Sequence, residues 1–135
     1  MLAPSFDSLR IFLHILAAGI WVGGQIVVAG AVPGVRKSSG SAGTKSLANG
    51  FARVAWPAFG LALITGMWSL FTREGDSSSA YGMTFGIKFL FYIAAGASAV
   101  AHARSTKGPV IAATGAMGLL FSLIVMFLGS VLAHG

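Results

Sequence analysis

The chain has 135 residues, of which 56% are hydrophobic and 9% are charged. Soluble domains carry charge on about a quarter of their residues, so this composition excludes an ordinary soluble domain. The net charge is +6, but the basic residues flank apolar blocks as juxtamembrane residues do, and we do not predict a nucleic-acid binder. The chain has no cysteine, which excludes disulfides, thiolate metal sites and cysteine catalysis.

Four apolar blocks follow one another, each with the roughly 20 residues that a helix needs to cross about 30 Å of hydrocarbon. The predicted helices cover about residues 9–32, 51–71, 81–103 and 109–133. The connection from Arg36 to Asn49 is rich in serine, glycine and lysine, and we predict a flexible loop there. Polar residues 72–80 and 104–108 supply two shorter connections. The pattern predicts an all-α, single-domain, integral membrane four-helix bundle with antiparallel neighbours.

The distribution of lysine and arginine predicts the orientation of this bundle. The first and third connections, with the adjoining helix ends, hold six of these residues: Arg36, Lys37, Lys45, Arg53, Arg104 and Lys107. The N-terminus and the second connection hold two, Arg10 and Arg73. We therefore expect both termini to lie outside. The first block is longer than the apolar region of a signal peptide, so we expect it to remain uncleaved.

Small residues predict where helices pack closely, because they let backbones approach one another in lipid. Gly19 and Gly23 form a GxxxG pair on the first helix, and we expect the Gly23 edge to approach a neighbouring helix. Further small residues recur on the last two helices: Ala95, Ala99, Ala103, Gly115, Gly118, Ser122 and Gly129. The alternative is that one of these edges forms the seam of a dimer.

Ionisable residues inside the membrane are costly and are candidate functional residues. His14, Lys88 and His102 lie within the apolar blocks, and His134 lies at the end of the last block. Helical spacing gives two stripes: one of His14, Ala18, Trp21 and Gln25, the other of Lys88, Tyr92, Ala95, Ala99 and His102. We expect the stripes to face each other or a shared interior. The alternative is that Lys88 and His102 snorkel to opposite interfaces with no further role, His102 next to Arg104.

Depth in the membrane limits how the histidines could hold a haem. Two axial histidines place their ligating nitrogens roughly 4 Å apart, since each Fe–N bond is about 2 Å. His14 lies about 7 Å from the outer edge of the bundle and His102 about 27 Å from it, which excludes one haem held by both. His14 alone, and His14 with Lys88 or His134, remain open.

Several short motifs resemble those of the bacterial copper-resistance protein D (CopD) family. The first helix carries Leu13-His14-Ile15-Leu16-Ala17-Ala18 and then Trp21-Val22-Gly23-Gly24. The second carries Phe51-Ala52-Arg53 and then Ile64-Thr65-Gly66-Met67-Trp68, and the third carries Tyr81-Gly82, Lys88 and Arg104. The resemblance covers three of the four helices and implies the same bundle. It also implies copper uptake or transfer at the plasma (inner) membrane of a prokaryote.

A second resemblance is to HemJ-type membrane proteins, which are associated with haem and pair an early histidine with a later lysine. This resemblance implies His14 and Lys88 as cofactor-binding residues, with Trp21 beside them on the first stripe. For a bare metal ion the candidate ligands are His14 and His134, and the expected cofactor is copper, or alternatively haem b. A third alternative is an accessory subunit of a membrane complex that holds no ligand.

The sequence supports no hydrolase or kinase function. It contains no serine–histidine–aspartate set, no phosphate loop and no paired carboxylates within a helix, and we assign no catalytic residue. The expected partners are the lipid bilayer, a metal-delivering protein at the outer face, and a second copy or a larger membrane complex.

Overall fold

A computed structural model of the protein describes residues 1–72 and 78–134. These residues form three helices and no strand: α1 spans Phe6–Thr72, α2 spans Ser79–Arg104 and α3 spans Gly108–His134. The all-α prediction is confirmed. The chain divides into two compact units, Met1–Glu74 and Gly75–Gly135. Most of the predicted second connection lies outside the described residues, and the prediction of a single domain stays a prediction.

The described residues form three helices where four were predicted, because α1 covers both the first and the second predicted helices and is kinked between them. The predicted flexible loop from Arg36 to Asn49 is helical except at Gly40. Gly40 has φ 65° and ψ −160°, a conformation that is essentially restricted to glycine. Arg36 and Lys37 before it, and Ala42, Lys45 and Leu47 after it, are residues that favour a helix. One glycine therefore makes the turn that we expected from a loop of 14 residues.

The two limbs of α1, residues 6–39 and 41–72, lie antiparallel and form a helical hairpin. The Arg10 guanidinium donates to the hydroxyl of Ser69, and a hydrogen bond joins His14 to Thr65. Arg10 and Ser69 lie 30 and 29 residues from Gly40, and His14 and Thr65 lie 26 and 25 residues from it. The pairing register is therefore centred on Gly40.

Aromatic rings fill the middle of this hairpin. The ring centroid of Trp21 lies 4.6 Å from that of Phe59 and 5.4 Å from that of Trp56. The other buried side chains of the hairpin are small: Ala17, Val22, Ala55, Ala58 and Thr65. Edge-on and tilted ring contacts of this kind stabilise packing by more than the burial of their apolar surface alone would give.

The close approach of the limbs occurs at Gly24 rather than at the predicted Gly23 edge. A Cβ atom at Gly19 or Gly23 would meet no atom of the described residues within 4 Å. A Cβ atom at Gly24 would collide with the ring of Phe51. The expectation for Gly23 is wrong within the described part of the chain, because the contacting stripe is rotated by one residue.

In the second unit, α2 and α3 pack antiparallel along the stripe that runs from Lys88 to His102. The Nζ atom of Lys88 lies 3.3 Å from the position of a Cβ atom at Gly129. At the other end the ring of His102 lies 3.1 Å from the corresponding position at Gly115. Ala95 and Ser122 are both buried between these ends. The small residues of α2 and α3 thus lie where two backbones approach each other.

By length and composition, all three helices could cross a membrane. Their exposed surfaces carry large apolar side chains, among them Val27 at 70%, Leu90 at 70% and Phe127 at 67% exposure. Water would solvate such surfaces poorly, whereas lipid accommodates them. The helices and their surfaces are those of a membrane protein.

Candidate functional site

His14 lies half-buried on the first limb of the hairpin, and its ring is held by the second limb. The Nδ1 atom of His14 lies 2.8 Å from Oγ1 of Thr65, and the Thr65 side chain is fully buried. The Thr65 hydroxyl donates to the carbonyl oxygen of Leu61 at 2.7 Å, as β-hydroxyl groups commonly do in membrane helices. Gly66 leaves space for the ring, since a Cβ atom there would lie 3.6 Å from Cε1 of His14.

These hydrogen bonds indicate which tautomer the neutral imidazole adopts. A hydroxyl has one proton, and the Leu61 carbonyl oxygen accepts the proton of Thr65. The Thr65 oxygen therefore accepts from the Nδ1–H group of His14. In the neutral ring this tautomer places the lone pair on Nε2, and an imidazole nitrogen with a lone pair is a common metal ligand.

Arg10 lies one helical turn before His14 and, like His14, forms a hydrogen bond with the second limb of the hairpin. Its guanidinium donates to the hydroxyl of Ser69, which itself donates to the carbonyl oxygen of Thr65 at 3.0 Å. A second guanidinium nitrogen donates to Asp7 at 3.2 Å. The Nε atom of Arg10 is buried and has no hydrogen-bond partner in residues 1–72 and 78–134. Arg10 thus places a largely buried positive charge beside His14.

Trp21, a predicted cofactor-binding residue, lies two turns beyond His14 on the same stripe. Its side chain is 8% exposed and packs between the limbs against Trp56 and Phe59. Gln25 donates to the Trp21 carbonyl oxygen at 2.9 Å. The structure therefore places Trp21 in the hairpin core, next to the His14 end.

Lys88 and His134, the other predicted ligand-binding residues, belong to the second unit. Lys88 is half-buried on α2, with its amino group directed at Gly129 of α3. His134 is exposed and is the last residue of α3. A site that combines either residue with His14 stays a prediction.

His102 joins the two helices of the second unit. Its Nδ1 atom lies 2.8 Å from the carbonyl oxygen of Ile111 on α3, so the ring donates to a backbone acceptor. His102 therefore connects α2 to the first turns of α3. His102 is exposed, and the predicted alternative of a side chain that snorkels to the interface stays a prediction.

Thr65, Arg10 and Ser69 are the residues of this site that sequence reasoning did not assign. Thr65 stands in the Ile64-Thr65-Gly66 motif, which was the one available signal. Its contact with His14 joins residues 51 positions apart and could be found only from the register of the hairpin. Within the described ranges, no group of three or more histidine, cysteine, aspartate or glutamate residues could hold a metal ion.

Comparisons with known proteins give no match to this chain, whether with family models, with curated proteins or with solved structures. The resemblances to CopD-family and HemJ-type proteins stay predictions that depend on short motifs.

Proposed function

We propose that this chain is an integral membrane protein of a prokaryotic plasma membrane and that it handles copper through His14. The observation that carries the proposal is the hydrogen bond from Nδ1 of His14 to Thr65. Copper is the substrate here, received at the outer face and transferred by the protein.

A histidine that binds metal usually donates its other ring N–H group to a fixed acceptor, which sets its tautomer and its orientation. Thr65 is such an acceptor, since its own proton is held by Leu61 and its side chain is fully buried. Imidazole nitrogen is a suitable ligand for copper. The CopD-like motifs include both His14 and Thr65, which gives the proposal a second support.

For the membrane placement, we propose four passes, made by the two limbs of α1, by α2 and by α3. The apolar blocks of both limbs have the length of a membrane span. Six basic residues beside one set of helix ends, against two beside the other, favour both termini outside. This orientation puts His14 near the outer surface, where copper would arrive from a delivering protein.

Haem is the second candidate, and the observation that favours it is Arg10. A buried guanidinium with an unpartnered Nε atom would suit a propionate group one turn from His14. The iron of haem b can take one axial imidazole, which Nε2 of His14 would supply, and the group would support one-electron transfer. The aromatic rings of Trp21, Trp56 and Phe59 offer an apolar wall next to it.

The test is the purified protein in mild detergent, with the copper content and the absorption spectrum measured for the parent and two variants. We expect copper without a Soret band for the first candidate and a Soret band for the second. His14→Ala should remove the bound group, whereas His102→Ala removes a histidine outside the site and should retain it. Size-exclusion profiles check that both variants are folded.

Equal copper or haem content in the parent and in His14→Ala would contradict the assignment of the site. A parent that holds neither group after growth with added copper would contradict both candidates. That result would favour an accessory subunit without a ligand.

A further inference from the structure

The tip of the α1 hairpin carries a groove with basic side chains that the metal site does not use. The groove has a volume of about 440 Å³ and is lined by Ala42, Lys45, Ser46, Asn49, Gly50 and Arg53. It lies wholly on the second limb, immediately after the turn at Gly40. Lys45, Asn49 and Arg53 recur every four residues, so their side chains share one face of the helix.

All the charged side chains at this tip are positive. Arg36 and Lys37 precede the turn, and Lys45 and Arg53 follow it, with all four side chains exposed. The sequence has no acidic residue between Asp7 and Glu74. The four positive charges are therefore not neutralised by acidic residues within the tip, and they attract an anionic partner.

The length of the limbs indicates where this groove lies. Residues 6–39 and 41–72 would each extend about 50 Å as helices, whereas the hydrocarbon of a bilayer is about 30 Å thick. The polar tip must then project beyond the hydrocarbon. Arg53 is followed by the exposed apolar residues Val54 and Trp56, which marks the edge of the membrane at this end of the groove.

We propose that this groove binds the headgroup of an anionic phospholipid. Lys45 and Arg53 would contact the phosphate, and the Asn49 amide would donate to it or to the glycerol oxygens. A lipid fits better than a free phosphate, because the apolar surface at Val54 and Trp56 continues from the groove and would contact the acyl chains. The inference depends on the membrane placement proposed above and is independent of copper and haem.

Native mass spectrometry of the detergent-solubilised protein, titrated with dilauroylphosphatidylglycerol, would test this proposal. We expect the double variant Lys45→Gln/Arg53→Gln to bind this lipid about 30-fold more weakly than the parent, since each basic residue near a headgroup contributes about fivefold. The matched control is Arg104→Gln/Lys107→Gln, which removes the same charge elsewhere and should weaken binding less than about threefold. Dilauroylphosphatidylcholine should bind both variants and the parent alike.

An equal loss of lipid binding in both double variants would contradict a site at the groove. It would indicate that the lipid is attracted to positive charge in general. Stabilisation of the parent by inorganic phosphate as strong as that by the lipid would indicate a site for a free anion, and it would also overturn the proposal. The same titration on the His14→Ala protein separates this inference from the proposed function. Lipid binding that persists in the His14→Ala protein, whatever its metal content, supports the lipid site and does not bear on the metal site.

Discussion

Thr65 and His14 are 51 residues apart in the chain, and a hydrogen bond of 2.8 Å joins their side chains. The same Thr65 oxygen donates its proton to Leu61, so it can only accept from the ring. The second limb thereby sets which nitrogen of His14 presents a lone pair. The chemistry of a residue on one limb is determined by a hydroxyl group on the other.

Replacing the Thr65 hydroxyl should weaken the binding of the metal ion or haem while leaving the fold in place. Thr65→Val keeps the shape of the side chain and removes the acceptor for Nδ1 of His14. Loss of such a supporting hydrogen bond usually lowers metal affinity by about 10–100-fold. Competition with a chelator measures the change, and Thr65→Ser is the control that should stay within a few-fold of the parent. Parent-like affinity in Thr65→Val would show that the hydroxyl does not orient the ring.

A large side chain at Gly24 should destabilise the hairpin, whereas the same side chain at Gly23 should not. Gly24→Leu would collide with the Phe51 ring, and overpacking of this kind costs about 1–3 kcal/mol. The midpoint of thermal unfolding in detergent reports the difference, with Gly23→Leu as the matched control because no described atom lies near it.

The double variant Gly24→Leu/Phe51→Ala tests the cause of that loss. It should be less destabilised than the sum of its two single variants, because the ring that obstructs the leucine is gone. Additive losses, or a Gly23→Leu protein that melts as low as Gly24→Leu, would place the close contact of the first limb elsewhere.

Gly40→Ala should destabilise the turn of the hairpin by about 1–3 kcal/mol, because a Cβ atom is strained at φ 65° and ψ −160°. Gly34→Ala is the control, since Gly34 lies within the helix and a Cβ atom there meets no described atom. That control should match or exceed the stability of the parent, as alanine favours a helix over glycine. Thermal unfolding of both variants gives the comparison, and equal midpoints would argue against the turn at Gly40.

Cysteine labelling should place the tip of the hairpin in the cytoplasm. The chain has no cysteine, so a single introduced thiol reports one position. We expect Ser38→Cys to react with an impermeant maleimide only after the cells are opened, and Ala3→Cys to react in intact cells. A reporter that is active only in the cytoplasm should be silent when fused after Gly135. Labelling of Ser38→Cys in intact cells would reverse the proposed topology.

Hydropathy predicted the helices of the second unit closely. The expected bounds of about 81–103 and 109–133 compare with Ser79–Arg104 and Gly108–His134. The polar break between the two apolar blocks is a strong signal there, and Pro109 follows it at the start of α3, where proline is favoured. The sequence pattern therefore determines these elements locally.

Hydropathy could not predict how the first unit turns. Residues 36–49 are too polar for lipid, and a polar segment that extends a helix beyond the membrane has the same composition as a loop. The site escaped prediction for a related reason. His14 was identified as a candidate from its depth, but Thr65 becomes its partner only after the chain turns at Gly40.

The register centred on Gly40 also makes the site sensitive to the length of the chain between its two halves. One residue inserted into either limb between His14 and Thr65 would rotate the helix beyond it by about 100° and shift it by about 1.5 Å. The ring and the hydroxyl would then point in different directions, although both residues were still present. If His14 binds the proposed ligand, homologous proteins should keep the His14-to-Thr65 spacing even where the residues between them differ.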